Sequence, residues 1–131
     1  MSRIQFWGVQ GSCPGGFNTD GYGTNTACVS VEHGSDLIIF DSGTGIRALS
    51  QSLNYSNYTN VILILTHAHW DHIQGFPFFD FIYHIPNLHI FCPFPDAINN
   101  MLNLINGVNF PLSRSNIHTT FNIITNLDAF H

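Results

Sequence analysis

The chain has 131 residues, 44% hydrophobic and 14% aromatic with only 8% charged, which excludes a disordered chain and fits one globular domain over residues 1–131. It contains no lysine, and Arg3, Arg47 and Arg114 stand against eight acidic residues for a formal net charge of -5. That balance excludes a nucleic-acid surface built on a basic patch, though not a phosphate-bearing substrate held through a metal ion.

The opening "MSRIQFWG" has no cationic leader followed by an apolar core, so no signal peptide is expected. The longest apolar run, Val61 to Leu65, is far short of a membrane span, and the aromatic stretch from Phe76 to Phe94 is broken by Asp80, His84, Asn87 and prolines. Cys13, Cys28 and Cys92 are an odd, widely spaced set without a CxxC, which predicts reduced thiols in a cytoplasmic protein. Twelve Phe with so little charge predict apolar surface that a partner covers.

Arg3 to Gly8 reads as a first strand, and Gly11 to Gly23 as a glycine-rich loop holding Pro14, Asn18 and Asp20. Ala27–Glu32 and Leu37–Phe40 are two short apolar strands joined by a tight connection through His33-Gly34-Ser35-Asp36. "DSGTG" at 41–45 is a second tight loop, and Ile46 to Leu53 has helical spacing. Its glycines invite a phosphate-cradle reading, which ranks below a plain turn. Val61–Leu65 is a buried strand by its unbroken apolar run. Asn87–Cys92 is a further strand. Asp96 reads as the N-cap of a helix with Ile98, Met101, Leu102 and Ile105 on one face, closed by Gly107. Thr119–Ile124 is the last candidate strand. Strands lead and helices intersperse, so the class is mixed α/β.

The chemistry concentrates in "THAHWDH" at 66–72, where three histidines and an aspartate fall within six residues at the end of a buried strand. His67 and His69 are two apart and can point the same way from an extended segment, while Asp71 and His72 follow on a tightening turn. Chance alone produces such a pattern with a frequency of roughly 0.002 over the chain. Imidazole suits zinc, and the carboxylate extends the choice to manganese or iron. His33, His84, His89, His118 and His131 carry structural or solvent-facing readings, and Trp70 and Phe76 to Phe79 read as core and rim.

"THAHWDH" resembles the HxHxDH signature of the metallo-β-lactamase superfamily. "GVQGSCP", "YGTNTACV", "IIFDSGTGIRAL" and "HIQGFPFF" are similar to its phosphodiesterase-like and ribonuclease-Z-like branch, so the resemblance runs from Arg3 to about Phe130. It implies half of a metallo-β-lactamase αββα sandwich, a mixed β-sheet with flanking helices. It implies a two-metal zinc site with His67 and His69 on the first ion and Asp71 and His72 on the second. Asp71 also positions the nucleophilic water, and Asp41 supports the histidine loop without binding metal. The implied activity is hydrolysis of a phosphodiester, such as a cyclic nucleotide or cyclic phosphate, by a metal-bound hydroxide. Thioester or lactam hydrolysis is the rival reaction. Asn25 and Thr26 resemble positions near the site and fit loop capping equally well.

The family's fold has two similar halves, and the ligands expected after His72 have no counterpart here. The resemblance therefore implies an N-terminal half with an incomplete ligand set. The implied readings are a metal-dependent hydrolase, active or inactive in this form, and a non-catalytic metal-binding or interaction half-domain completed by another chain. A bared sheet face then predicts a homodimer or a missing C-terminal half over it.

Overall fold

The computed structural model describes residues 2–17 and 21–126. Asn18 and Asp20 of the glycine-rich loop and the terminal His131 lie outside the described residues. One six-stranded sheet runs in chain order: β1 (Ser2–Gly8), β2 (Cys28–His33), β3 (Asp36–Phe40), β4 (Asn60–Ile64), β5 (Asn87–Phe91) and β6 (Thr120–Ile124). The first three strands pair antiparallel, β1 to β2 across the long glycine-rich loop and β2 to β3 through a tight turn, and β3 to β6 pair parallel. Parallel neighbours need crossovers, and here these carry α1 (Gly45–Ser52), α2 (Trp70–Ile73) and α3 (Pro95–Leu102). The mixed α/β sheet expected from the sequence is the one observed.

Each strand falls close to its expected span because its residues suit a pleat. The hairpin between β2 and β3 turns on Gly34, whose φ of 59° is left-handed. Alternation then sorts the side chains. Cys28, Ser30, Leu37, Ile39, Val61, Leu63, Leu88 and Ile90 are buried on one face. Ile46 and Leu49 of α1 and Ala97, Ile98, Met101 and Leu102 of α3 join them in a single core, together with Phe76, Phe79 and Phe81. Buried Ser30 accepts the Trp7 indole N–H at 2.8 Å, so this polar group is satisfied.

The start of α3 differs from expectation. Pro95 takes the first helical position, after Phe94, and Asp96 lies inside the first turn rather than capping it. Proline suits that position because its missing N–H would have no partner there and its φ is already helical. Asp96 instead meets the positive end of the helix dipole. The helix ends at Leu102, and Gly107 (φ 77°) belongs to a later turn. Residues Phe76–Phe78 and Asp80–Tyr83 form short 3-10 turns. Phe76 and Phe79 are core, while Trp70 and Phe78 are exposed at the rim.

The second face of the sheet is open among the described residues. Register aligns Phe6, Val29, Phe40, Ile64, Phe91 and Ile124 in one row across all six strands. Ile4, Val31, Ile38 and Ile62 form the next row, which continues into His89 and Asn122. Ile4 and Phe6 are 64% and 68% exposed, Phe40 is also exposed, and the other inner members are half-buried by their neighbours. No helix among the described residues is long and apolar enough to cross a membrane.

Adjacent residues of β4 give a direct measure of this asymmetry. Leu63→Ala, facing the core, should cost about 2–5 kcal/mol in urea denaturation. Ile62→Thr, facing outward, should cost under about 1 kcal/mol. Equal penalties would mean that the open face is covered in solution.

Candidate metal centre

Because β3 and β4 are parallel with Phe40 beside Ile64, both strands end at the same edge of the sheet. In open α/β sheets that carboxyl edge is where ligands bind. The Asp41 N–H donates to the Ile64 carbonyl at 2.9 Å, extending the ladder by one residue. The backbone then turns sharply, with Asp41 at φ 64°. Few residues other than glycine enter that region, and Asp and Asn do so most readily. The turn aims a buried carboxylate at the start of the histidine loop.

Asp41 Oδ1 accepts the Thr66 N–H at 2.8 Å, and the two carboxylate oxygens lie 3.0 and 2.9 Å from Thr66 Oγ1. Oδ2 accepts from His72 Nδ1 at 2.8 Å. Thr66 has one hydroxyl proton, and the carboxylate takes it. The 2.9 Å contact between Thr66 Oγ1 and His67 Nδ1 therefore has the ring nitrogen as donor. Asp41 thus fixes two imidazoles at once, His72 directly and His67 through Thr66. Both are left with the lone pair on Nε2, the form that binds a metal.

Asp71 enters from the first turn of α2. Its Oδ2 accepts the Ser12 N–H at 3.0 Å and lies 3.4 Å from His72 Nε2. The Ser12 N–H holds this carboxyl below the usual carboxylate range, against the opposing effect of partial burial. The rings of His69 and His72 both pack on His67, with centroids at 4.4 and 4.1 Å. All four expected ligand residues and Asp41 are brought together.

The donor set suits a divalent ion in kind. It falls short in number, since among the described residues no three His, Cys, Asp or Glu side chains are arranged to hold one ion.

Sequence reasoning overlooked two residues. Thr66 carried a signal, a hydroxyl directly before the first histidine. Ser12 carried none, because it contributes a backbone N–H. Ser12 (φ 62°) and Asp41 are the two non-glycine residues with positive φ among the described residues, and both contact this cluster. Backbone strain gathers at functional sites.

The "DSGTG" loop is not a phosphate cradle. Its amides are consumed internally: Ser42 N–H on His72 O, Gly43 N–H on Ala27 O, Gly45 N–H on Thr26 O and Thr44 N–H on Thr26 Oγ1. Thr26 is buried, and Asn25 accepts from the Thr44 hydroxyl at 3.1 Å, so both residues tie this loop down. A Cβ on Gly43 would lie 2.4 Å from the Asp71 carbonyl oxygen, so the loop's glycines serve close backbone packing.

The family model of the metallo-beta-lactamase superfamily matches residues 21–90, more than half of the chain. The chain belongs to the metallo-β-lactamase superfamily. Solved structures agree on the fold. The metallo-beta-lactamase fold protein YhfI from Bacillus subtilis has a TM-score of 0.59 at 17% identity, over 94% of this chain and 45% of that one. A diphosphatase from the PhnP family has a TM-score of 0.57 at 11% identity, over 95% of this chain and 51% of that one. The chain therefore spans about half the length of the solved structures it matches. No match was found among curated proteins.

Removing the buried Asp41 carboxylate leaves the Thr66 N–H and His72 Nδ1 without their acceptor. Asp41→Ala should therefore lower unfolding free energy by about 1–3 kcal/mol, measured by denaturant titration. Among the thiols, Cys13 is exposed, while Cys28 and Cys92 are buried and burial pushes the Cys28 thiol far up. A native titration with a disulfide reagent should count one thiol, and a denatured one all three.

Proposed function

We propose that His67, His69, Asp71 and His72 form part of a divalent metal site, zinc first with manganese or iron as alternatives, that hydrolyses phosphodiesters. The observation that carries this reading is the relay from Asp41 through Thr66, which sets His67 and His72 with Nε2 free, as metal-binding imidazoles are held. A bound ion would polarise a phosphoryl oxygen and lower the pKa of water.

The chain's own residues do the rest. Asp41 keeps two rings in one tautomer and orientation. Ser12 occupies one Asp71 oxygen and keeps that carboxylate ionised, leaving the other free to position a water or an ion. A diphosphatase among the solved structures of this fold puts phosphoesters among the chemistries the fold hosts, ahead of thioesters or lactams.

The shortfall in convergent ligands favours a second reading, a metal-binding half-domain completed by another chain. In either case a second half-domain or a second copy covers the open sheet face. Three unpaired cysteines support a reducing, cytoplasmic setting.

Elemental analysis of protein purified without chelating resin should find bound metal that a His67→Ala, His69→Ala double variant loses. Unchanged metal content in that variant would overturn the site. With added zinc, bis(p-nitrophenyl) phosphate should turn over ahead of a thioester. Activity on neither, with metal bound, would select the half-domain reading.

A further inference from the structure

A second site lies elsewhere, sharing no residue with the histidine cluster. An open cavity of about 490 Å³ sits between α1, the 3-10 turns at 76–83 and the loop at 110–112. That volume lies within the range of small-molecule sites. Its walls carry Arg47 from α1, Asp80 and Tyr83 from the second 3-10 turn, and the aromatic pair Phe78 and Phe110.

The state of the arginines is the first observation. Arg3 pairs with Glu32 at 3.6 Å and with Gln5 at 2.6 Å, and Arg114 stacks over Phe121 at 5.4 Å. The Arg47 guanidinium has no ion pair or hydrogen bond among the described residues. In a chain of net charge -5 with three arginines, the one whose guanidinium has no partner among the described residues lines this cavity.

The second observation is the aromatic wall. Phe78 is 51% exposed and meets Phe110 edge-to-face at 5.6 Å, presenting ring surface to the cavity. Exposed aromatics clustered in a cavity mark binding surface rather than ordinary rim.

The third is the opposite charge. Asp80 lines the same cavity without pairing with Arg47 among the described residues, and its carboxylate lies 3.4 Å from His84 Nε2. The Asp80 N–H donates to Ser50 Oγ of α1, which fixes the two walls relative to each other. Tyr83 is committed elsewhere, its hydroxyl donating to the Pro77 carbonyl.

A cation, an anion that does not pair with it and an aromatic pair lining one cavity complement a ligand with the same features reversed. We infer that this cavity binds a small aromatic zwitterion, with its carboxylate or phosphate on Arg47, its ring on Phe78 and Phe110, and its ammonium on Asp80. Arg47 suits either oxyanion because its fork presents parallel N–H donors.

Calorimetric titration of the whole chain with 4-(aminomethyl)benzoate, beside benzoate and benzylamine, tests the assignment. Chelator in the cell keeps any metal at the histidine cluster from binding the carboxylate. The zwitterion should bind saturably and more tightly than either half-ligand. Arg47→Gln should weaken zwitterion and benzoate alike by at least about tenfold, the scale of a lost charge-assisted contact. Asp80→Asn should weaken the zwitterion and benzylamine and leave benzoate unchanged. No saturable binding to the unaltered chain, or binding indifferent to Arg47→Gln, would overturn the proposal. The His67→Ala, His69→Ala double variant should bind the zwitterion normally, so a failure here is separate from any failure of the metal reading.

Discussion

Asp41 is held where β3 ends, and the rest of the candidate site is arranged around that one carboxylate. Parallel pairing with β4 sets its neighbour, since the residue after Phe40 must lie beside the chain that leaves Ile64. The left-handed turn at Asp41 then directs its two oxygens to the N–H and hydroxyl of Thr66, just after β4, and to the imidazole of His72 in α2. Asparagine would tolerate the turn but would present an amide donor to groups that themselves donate. Glycine would adopt the turn freely and supply no acceptor. Position 41 is therefore constrained twice, by backbone and by charge.

The same economy explains how the histidine loop is organised by two strands alone. The carboxyl edge of the parallel strands is complete, so loops that depend only on β3 and β4 can assemble. The sheet's two faces are not equivalent. One is sealed by α1, α3 and the phenylalanine turns, while the other presents rows of Val, Ile and Phe. The core therefore lies on one side of the sheet alone among the described residues.

Much of this was legible in the residues, and the exceptions have physical causes. Val61–Leu65 is apolar without a break because β4 lies between two strands, and the run marked its place. The histidine cluster stood out through spacing that chance rarely produces. Asp96 misled because a capping residue and a first-turn carboxylate look alike until Pro95 is given precedence. The 3-10 turns at 76–83 follow no helical or strand period, so Phe and Pro content hid their backbone. Ser12 could not be found at all, since any residue able to hold that φ would offer the same N–H to Asp71.

Strand order has a consequence for how the chain is made. Every strand pairs with its predecessor and successor in sequence, so no strand waits for a distant segment to complete its ladder. Each addition closes a loop of moderate length, and loop-closure entropy grows slowly with length. During synthesis, the β1–β2–β3 meander can form as soon as it leaves the ribosome, and β4, β5 and β6 can then dock in order of emergence. A sheet built in this way grows at a single edge, and until the next strand arrives that edge is its only unpaired ladder besides β1.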